Sequence, residues 1–183
     1  MDYEEISIQD AYRLQNAGGL VLVCTKAVGE AEGYDLAPVA WCCPLDYSPQ
    51  SRFICVLDTS HRTFEDLRAS GEFILALPSY AQKRLVEQCG SVSGRDADKY
   101  ARFEIPSFRG EKVDALIPYG VAGWVECKVS GIHVEGTSGV VYGDALAAKA
   151  AKDFWEMRLH YVTEGIWFRP WGGALGVKKG LKP

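Results

Sequence analysis

Phe53-Ile-Cys-Val-Leu-Asp-Thr-Ser-His-Arg-Thr-Phe-Glu-Asp66 carries an apolar β-type run, a turn rich in hydroxyls and then a helix-type start. Similar short apolar runs bounded by turn residues recur at 20–25, 73–77, 122–129, 132–135 and 140–146. The helical signals at 63–69, 80–88 and 97–103 are brief and end at glycine or turn residues. Ser7-Ile-Gln-Asp10 reads as a first helix start, with Gly18-Gly19 as its stop. One longer helix is expected over 146–161, where an alanine and lysine tract of high propensity precedes Phe154, Met157 and Tyr161 at helical spacing. Strands outnumber helices and do not alternate with long ones. The pattern predicts a mainly β, antiparallel barrel with helices at its ends, rather than a doubly wound parallel sheet.

The 183 residues, against a soft prior of about 150 per domain, predict a single domain over 1–183. A chain of this length buries roughly 70% of its unfolded surface and needs no metal or disulfide staple. The 48% hydrophobic and 24% charged residues exclude a disordered or fibrous chain. A net charge of −4 supplies no footprint for nucleic acid or an anionic membrane. The apolar runs fall far short of a membrane span, and the first residues, with Asp2, Glu4 and Glu5, lack the basic start of a signal peptide. A cytoplasmic protein without membrane or nucleic-acid partners is expected. Six cysteines without C-x-x-C spacing read as reduced thiols. The tail from Arg169 is glycine-rich and basic, suited to remaining mobile or wrapping a partner subunit.

His61, His133 and His160 have no second ligand at zinc spacing, so no metal is expected. Serine-hydrolase, zinc-protease, P-loop and Rossmann signatures are absent from the sequence. Three stretches remain. In the first, Thr63 reads as a helix N-cap and Ser60 as a turn residue. Alternatively, His61 and Arg62 beside the positive end of a helix point to an anion, held by helix amides, the Thr59, Ser60 and Thr63 hydroxyls and the Arg62 charge. In the second, residues 33–46, Pro38 and Pro44 cannot donate ladder bonds and mark an edge or irregular strand. There Trp41 is either a flat ligand surface beside the Ala40, Cys42 and Cys43 amides or simply core. In the third, residues 90–100, Arg95 and Lys99 follow a flexible turn, with Ser93 or Asp96 as the expected cap. Trp155, Trp167 and Trp171, with His160 and Arg169, either line a substrate entrance, pack a dimer or, the reading favoured here, pack a core.

Taken in order, Ala37-Pro-Val-Ala-Trp-Cys-Cys-Pro44, the 59–63 turn followed by Gly71-Glu-Phe73, and Ser93-Gly-Arg-Asp-Ala-Asp-Lys-Tyr100 resemble the FMN-binding split-barrel proteins of the flavin reductase-like class, most closely the flavoredoxin branch. The resemblance implies a homodimer with FMN at or near the subunit interface. It implies that the flavin ring runs along the backbone of Val39, Ala40, Trp41, Cys42 and Cys43, with the phosphate near Thr59, Ser60, Arg62 and Thr63. It further implies that Ser93, Gly94 and Lys99 approach the same cofactor. Family members often carry asparagine where this sequence has Ala76, which leaves only backbone contacts from Ala76 and Leu77. The implied activity is that of an oxidoreductase passing electrons from NAD(P)H or a protein donor through FMN to a flavin, ferric chelate or protein. No catalytic side chain is then expected, because the cofactor carries the chemistry. The alternatives are a non-catalytic FMN electron carrier and a flavin- or haem-type ligand sensor in which Cys42 and Cys43 respond to oxidants.

Overall fold

The computed structural model describes residues 19–28, 33–152, 157–163 and 166–168. The helix start at Ser7, Phe154, Trp155, Arg169, Trp171 and the basic tail lie outside the described residues. The chain forms β1 (Val21–Ala27), β2 (Gly33–Val39), β3 (Cys42–Asp46), β4 (Arg52–Asp58), α1 (Arg62–Ser70) and β5 (Glu72–Leu77). A single 3₁₀ turn (Tyr80–Gln82), α2 (Lys83–Gly90), α3 (Lys99–Arg102), β6 (Ser107–Arg109) and β7 (Leu116–Pro118) follow. Two long strands, β8 (Gly123–Glu135) and β9 (Ser138–Ala150), precede the hairpin of β10 (His160–Thr163) and β11 (Ile166–Phe168).

The large sheet has seven strands in the order β2-β1-β5-β8-β9-β4-β3, all paired antiparallel. Its two outermost strands are consecutive in the chain, joined only by Ala40 and Trp41. The Val56 N–H donates to the Trp41 carbonyl at 2.9 Å, carrying the β3–β4 ladder into that corner. The sheet thus curls until its first and last strands meet. The proline-marked segment forms both of these edges, as Pro38 and Pro44 required.

Alternation along the strands divides the apolar residues between two faces. Val21, Val23, Val39, Cys55, Leu57, Phe73, Leu75, Cys127 and Val141 fill the inner face, where α1 adds Phe64 and Leu67. Leu22, Cys24, Leu36, Ile74 and Ala76 point outward against α2, α3 and the β6–β7 hairpin. β1 and β5 are covered on both sides, which is why they read as unbroken apolar runs.

The structure departs from expectation in four places. No helix begins at Leu146: β9 extends to Ala150, paired with Gly123, and β10 begins at His160. The ladder with β8 overrides the helix propensity of the alanine and lysine tract. The runs at 122–129 and 132–135 are one strand, β8, with a register shift between Val129 and Gly131. The expected helix at 80–88 divides into the 3₁₀ turn and α2 behind a Ser79–Gln82 capping box. The Asp98 side chain, not Ser93 or Asp96, caps α3 by accepting from the Ala101 N–H.

Candidate functional site

α1 opens without a side-chain cap. Its N-cap is His61, whose side chain accepts nothing from the first turn. Thr63 is not the cap: its hydroxyl donates instead to Asp35 Oδ2 at 3.0 Å, across to β2. Ser60 is the turn residue expected of it, donating through both N–H and hydroxyl to Asp58 Oδ1. The first amides of a helix have no intrahelical acceptor, so this end keeps free donors and the positive pole of the dipole together.

His61, Arg62 and Thr63 line a cavity of about 340 Å³ with Asp35, Pro38, Ser60, Ser93, Gly94, Arg95 and Lys99. Its floor is a buried ion pair. Lys99 Nζ stands 3.0 Å from Asp35 Oδ1, with side-chain exposures of 3% and 5%, and donates to the Leu36 carbonyl at 2.7 Å. Thr63 supplies a hydrogen bond to Oδ2 of the same carboxylate, while its buried Oδ1 has only the Lys99 charge to offset its burial. Gly94 presses on this pair: a Cβ there would stand 2.6 Å from the Asp35 carboxylate, so only glycine lets the 91–98 loop close over it.

The cations at the rim also have partners. Arg62 Nε donates to Asp66 Oδ1 at 2.7 Å, and its Nη2 donates to the Val28 carbonyl. Burial pushes the Asp66 carboxyl up, against the opposing pull of the Val28 N–H and Arg62. Arg95 pairs with Glu65 at 2.9 Å and donates to the Ser60 carbonyl at 3.4 Å. A guanidinium has five N–H donors, so both arginines retain hydrogens for an anion. The ammonium of Lys99 is already matched by Asp35.

A second cavity of about 600 Å³ adjoins the first, sharing Pro38, Gly90 and Ser91. Leu20, Ala40, Val86, Tyr161 and Trp167 make it largely apolar, with Glu87 at its lining. Trp167 packs edge-on against Tyr161 across the β10–β11 hairpin, with ring centroids 4.8 Å apart.

The structure therefore brings Ser60, Arg62, Thr63, Ser93, Gly94 and Lys99 to one cavity and Ala40 to the next. Thr59 stands away from both, lining a separate hollow with Phe64 and Arg68. Val39 is buried in the inner core. Trp41 is 50% exposed, which removes the reading of it as core. Cys42 is half-buried and Cys43 exposed. Ala76 is fully buried in central β5, between Leu22 and Trp124, while Leu77 packs on the inner cluster and its carbonyl accepts from Ala122. Sequence reasoning missed Asp35, whose only signal was a carboxylate in an otherwise apolar edge strand. Among the described residues, no group of three or more His, Cys, Asp or Glu could hold a metal ion, and no helix could cross a membrane.

This architecture is the split β-barrel foreseen for the chain. Residues 13–166 match the family model described as flavin reductase like domain. The protein belongs to that family. An uncharacterized protein of Escherichia coli K12, YddH, is 30% identical over 159 residues, covering 85% of this chain and 83% of its own. An FMN-binding protein from Thermus thermophilus, solved with bound 1-cyclohex-2-enone, superposes with a TM-score of 0.80 at 21% identity, over 97% of this chain and 99% of that one. A flavoredoxin from Methanosarcina acetivorans superposes with a TM-score of 0.78 at 18% identity, over 99% and 97% of the two chains.

Proposed function

We propose that this protein is an FMN-dependent oxidoreductase, receiving electrons from NAD(P)H and passing them to a flavin, ferric chelate or protein acceptor. The observation that carries the reading is the pairing of cavities. A polar one at an uncapped helix start, lined by hydroxyls and guanidinium groups, joins a larger apolar one lined by Leu20, Pro38 of β2, Val86 of α2 and the Tyr161–Trp167 pair. A heteroaromatic ring that carries a phosphate on a flexible chain has that division of chemistry, and the donor set fits FMN. FMN supplies the two-electron chemistry when bound.

The first-turn amides of α1, the Ser60 and Ser93 hydroxyls and the remaining Arg62 and Arg95 hydrogens would hold the phosphate. Lys99 would act one step back, fixing β2 through Asp35 and the Leu36 carbonyl. Pro38, Ala40 and the Trp167–Tyr161 pair would exclude water beside the ring, which raises the strength of every hydrogen bond made there. A homodimer belongs to the same proposal. Trp41, Leu45 and Tyr47 stand exposed along edge strand β3, a surface suited to a second copy.

The test is the absorption spectrum of the protein titrated with FMN, then mixed anaerobically with NADH or NADPH. Saturable binding followed by bleaching is expected. Lack of affinity for FMN would overturn the reading, and tight binding without bleaching by either nicotinamide would reassign the protein as an electron carrier. Sedimentation of the holo-protein at twice the chain mass is the expected sign of the dimer.

A further inference from the structure

Cys42 of β3 and Cys55 of β4 stand directly opposite each other. The Val56 N–H donates to the Trp41 carbonyl across the same strands at 2.9 Å. That bond makes Cys42–Cys55 the non-hydrogen-bonded kind of cross-strand position, where Cα atoms approach to about 4.5 Å and both side chains leave one face. The face is the barrel interior: Cys55 is buried there, and Cys42 packs against the same cluster while remaining half-buried. The neighbouring Cys42 thiol, together with burial, pushes Cys55 up. The other thiols lack this geometry. Cys43 is exposed opposite Ile54, and Cys127 lies on β8, separated from β4 by β9.

A Cα separation of about 4.5 Å falls within the range of roughly 4.4–6.8 Å found for bridged cysteines. We propose that Cys42 and Cys55 form a reversible intrachain disulfide when hydrogen peroxide reaches the half-buried Cys42 thiol. The more accessible Cys42 sulfur attacks the peroxide: an S–O bond forms, the O–O bond breaks, and water leaves carrying the thiol proton. The Cys55 sulfur then attacks Cys42, forming the S–S bond and breaking S–O, and the departing hydroxide takes the Cys55 proton as a second water. Two electrons pass from the thiol pair to the peroxide. The bond ties edge strand β3 to β4 directly after the Ala40–Trp41 corner.

The test uses the full chain without added FMN, so its outcome is independent of the flavin reading. The protein is treated with a small molar excess of hydrogen peroxide, blocked with N-ethylmaleimide, digested with trypsin and mapped by mass spectrometry. The expected product joins the peptide that ends at Arg52 to the peptide 53–62, two hydrogens lighter than the two thiol peptides together. Dithiothreitol should reverse it. The link should vanish in Cys42→Ser and in Cys55→Ser and persist in Cys43→Ser. Recovery of Cys42 and Cys55 both labelled by maleimide, or a link that runs through Cys43, would overturn the proposal.

Discussion

The Asp35–Lys99 pair concentrates more energetic consequence than any other two side chains of the site. Both are almost wholly buried, so removing one partner strands the other's charge away from water. Asp35→Asn and Lys99→Met should each lower unfolding free energy by about 3–5 kcal/mol. The double variant should recover part of that loss, as urea unfolding and a double-mutant cycle would show. An additive result would deny the pairing. Gly94→Ala places a methyl group against the same carboxylate, and such overpacking should cost about 1–3 kcal/mol. The substitution should also weaken FMN binding in the spectral titration, because the carboxylate it displaces is tied to Thr63 at the helix start.

At the scale of elements, the segment after β6 is organised by one buried carboxylate on β8. Glu126 accepts from the N–H groups of Glu111, Lys112 and Val113, at 3.0, 2.6 and 2.9 Å, and from the Trp124 indole at 3.4 Å. Burial works to raise its pKa, but these donors together outweigh burial and hold it below the ordinary glutamate value. The folded pKa is thus below the unfolded one, near 4.3. The resulting stability is fully present above that value and is lost as pH falls through the lower folded one. Glu126→Gln should therefore cost about 2 kcal/mol at neutral pH. The gap from the native sequence should close as acid is added, measured as two chemical-denaturation series across pH. A gap that stays constant into strong acid would show that the ionised form has no special role.

Across the whole molecule, local pattern revealed β1, β4, β5, α1 and the proline-marked edges, because apolar runs, caps and ladder donors are properties of neighbouring residues. The start of the expected helix, 146–150, misled because alanine and lysine favour helix in isolation, whereas here a long partner strand supplies the hydrogen bonds. For the site, the hydroxyl and basic cluster before α1 was legible as a group, and Ser60, His61, Arg62 and Thr63 of it share one cavity. The Asp35–Lys99 pair and the Cys42–Cys55 register were not, since each depends on how distant segments align. Trp41 was ambiguous for the same reason: whether a tryptophan near a strand end is covered depends on what the rest of the sheet brings there.

The corner at Ala40 and Trp41 bears on how the chain tolerates a break. Each strand beside it is held by its own ladder, β2 to β1 and β3 to β4. A protease recognition sequence inserted between those two residues should therefore yield, after cleavage, two fragments that co-elute as one particle and part only in denaturant. Separation under native conditions would mean that the covalent link, and not the pairing on either side, holds the two fragments together.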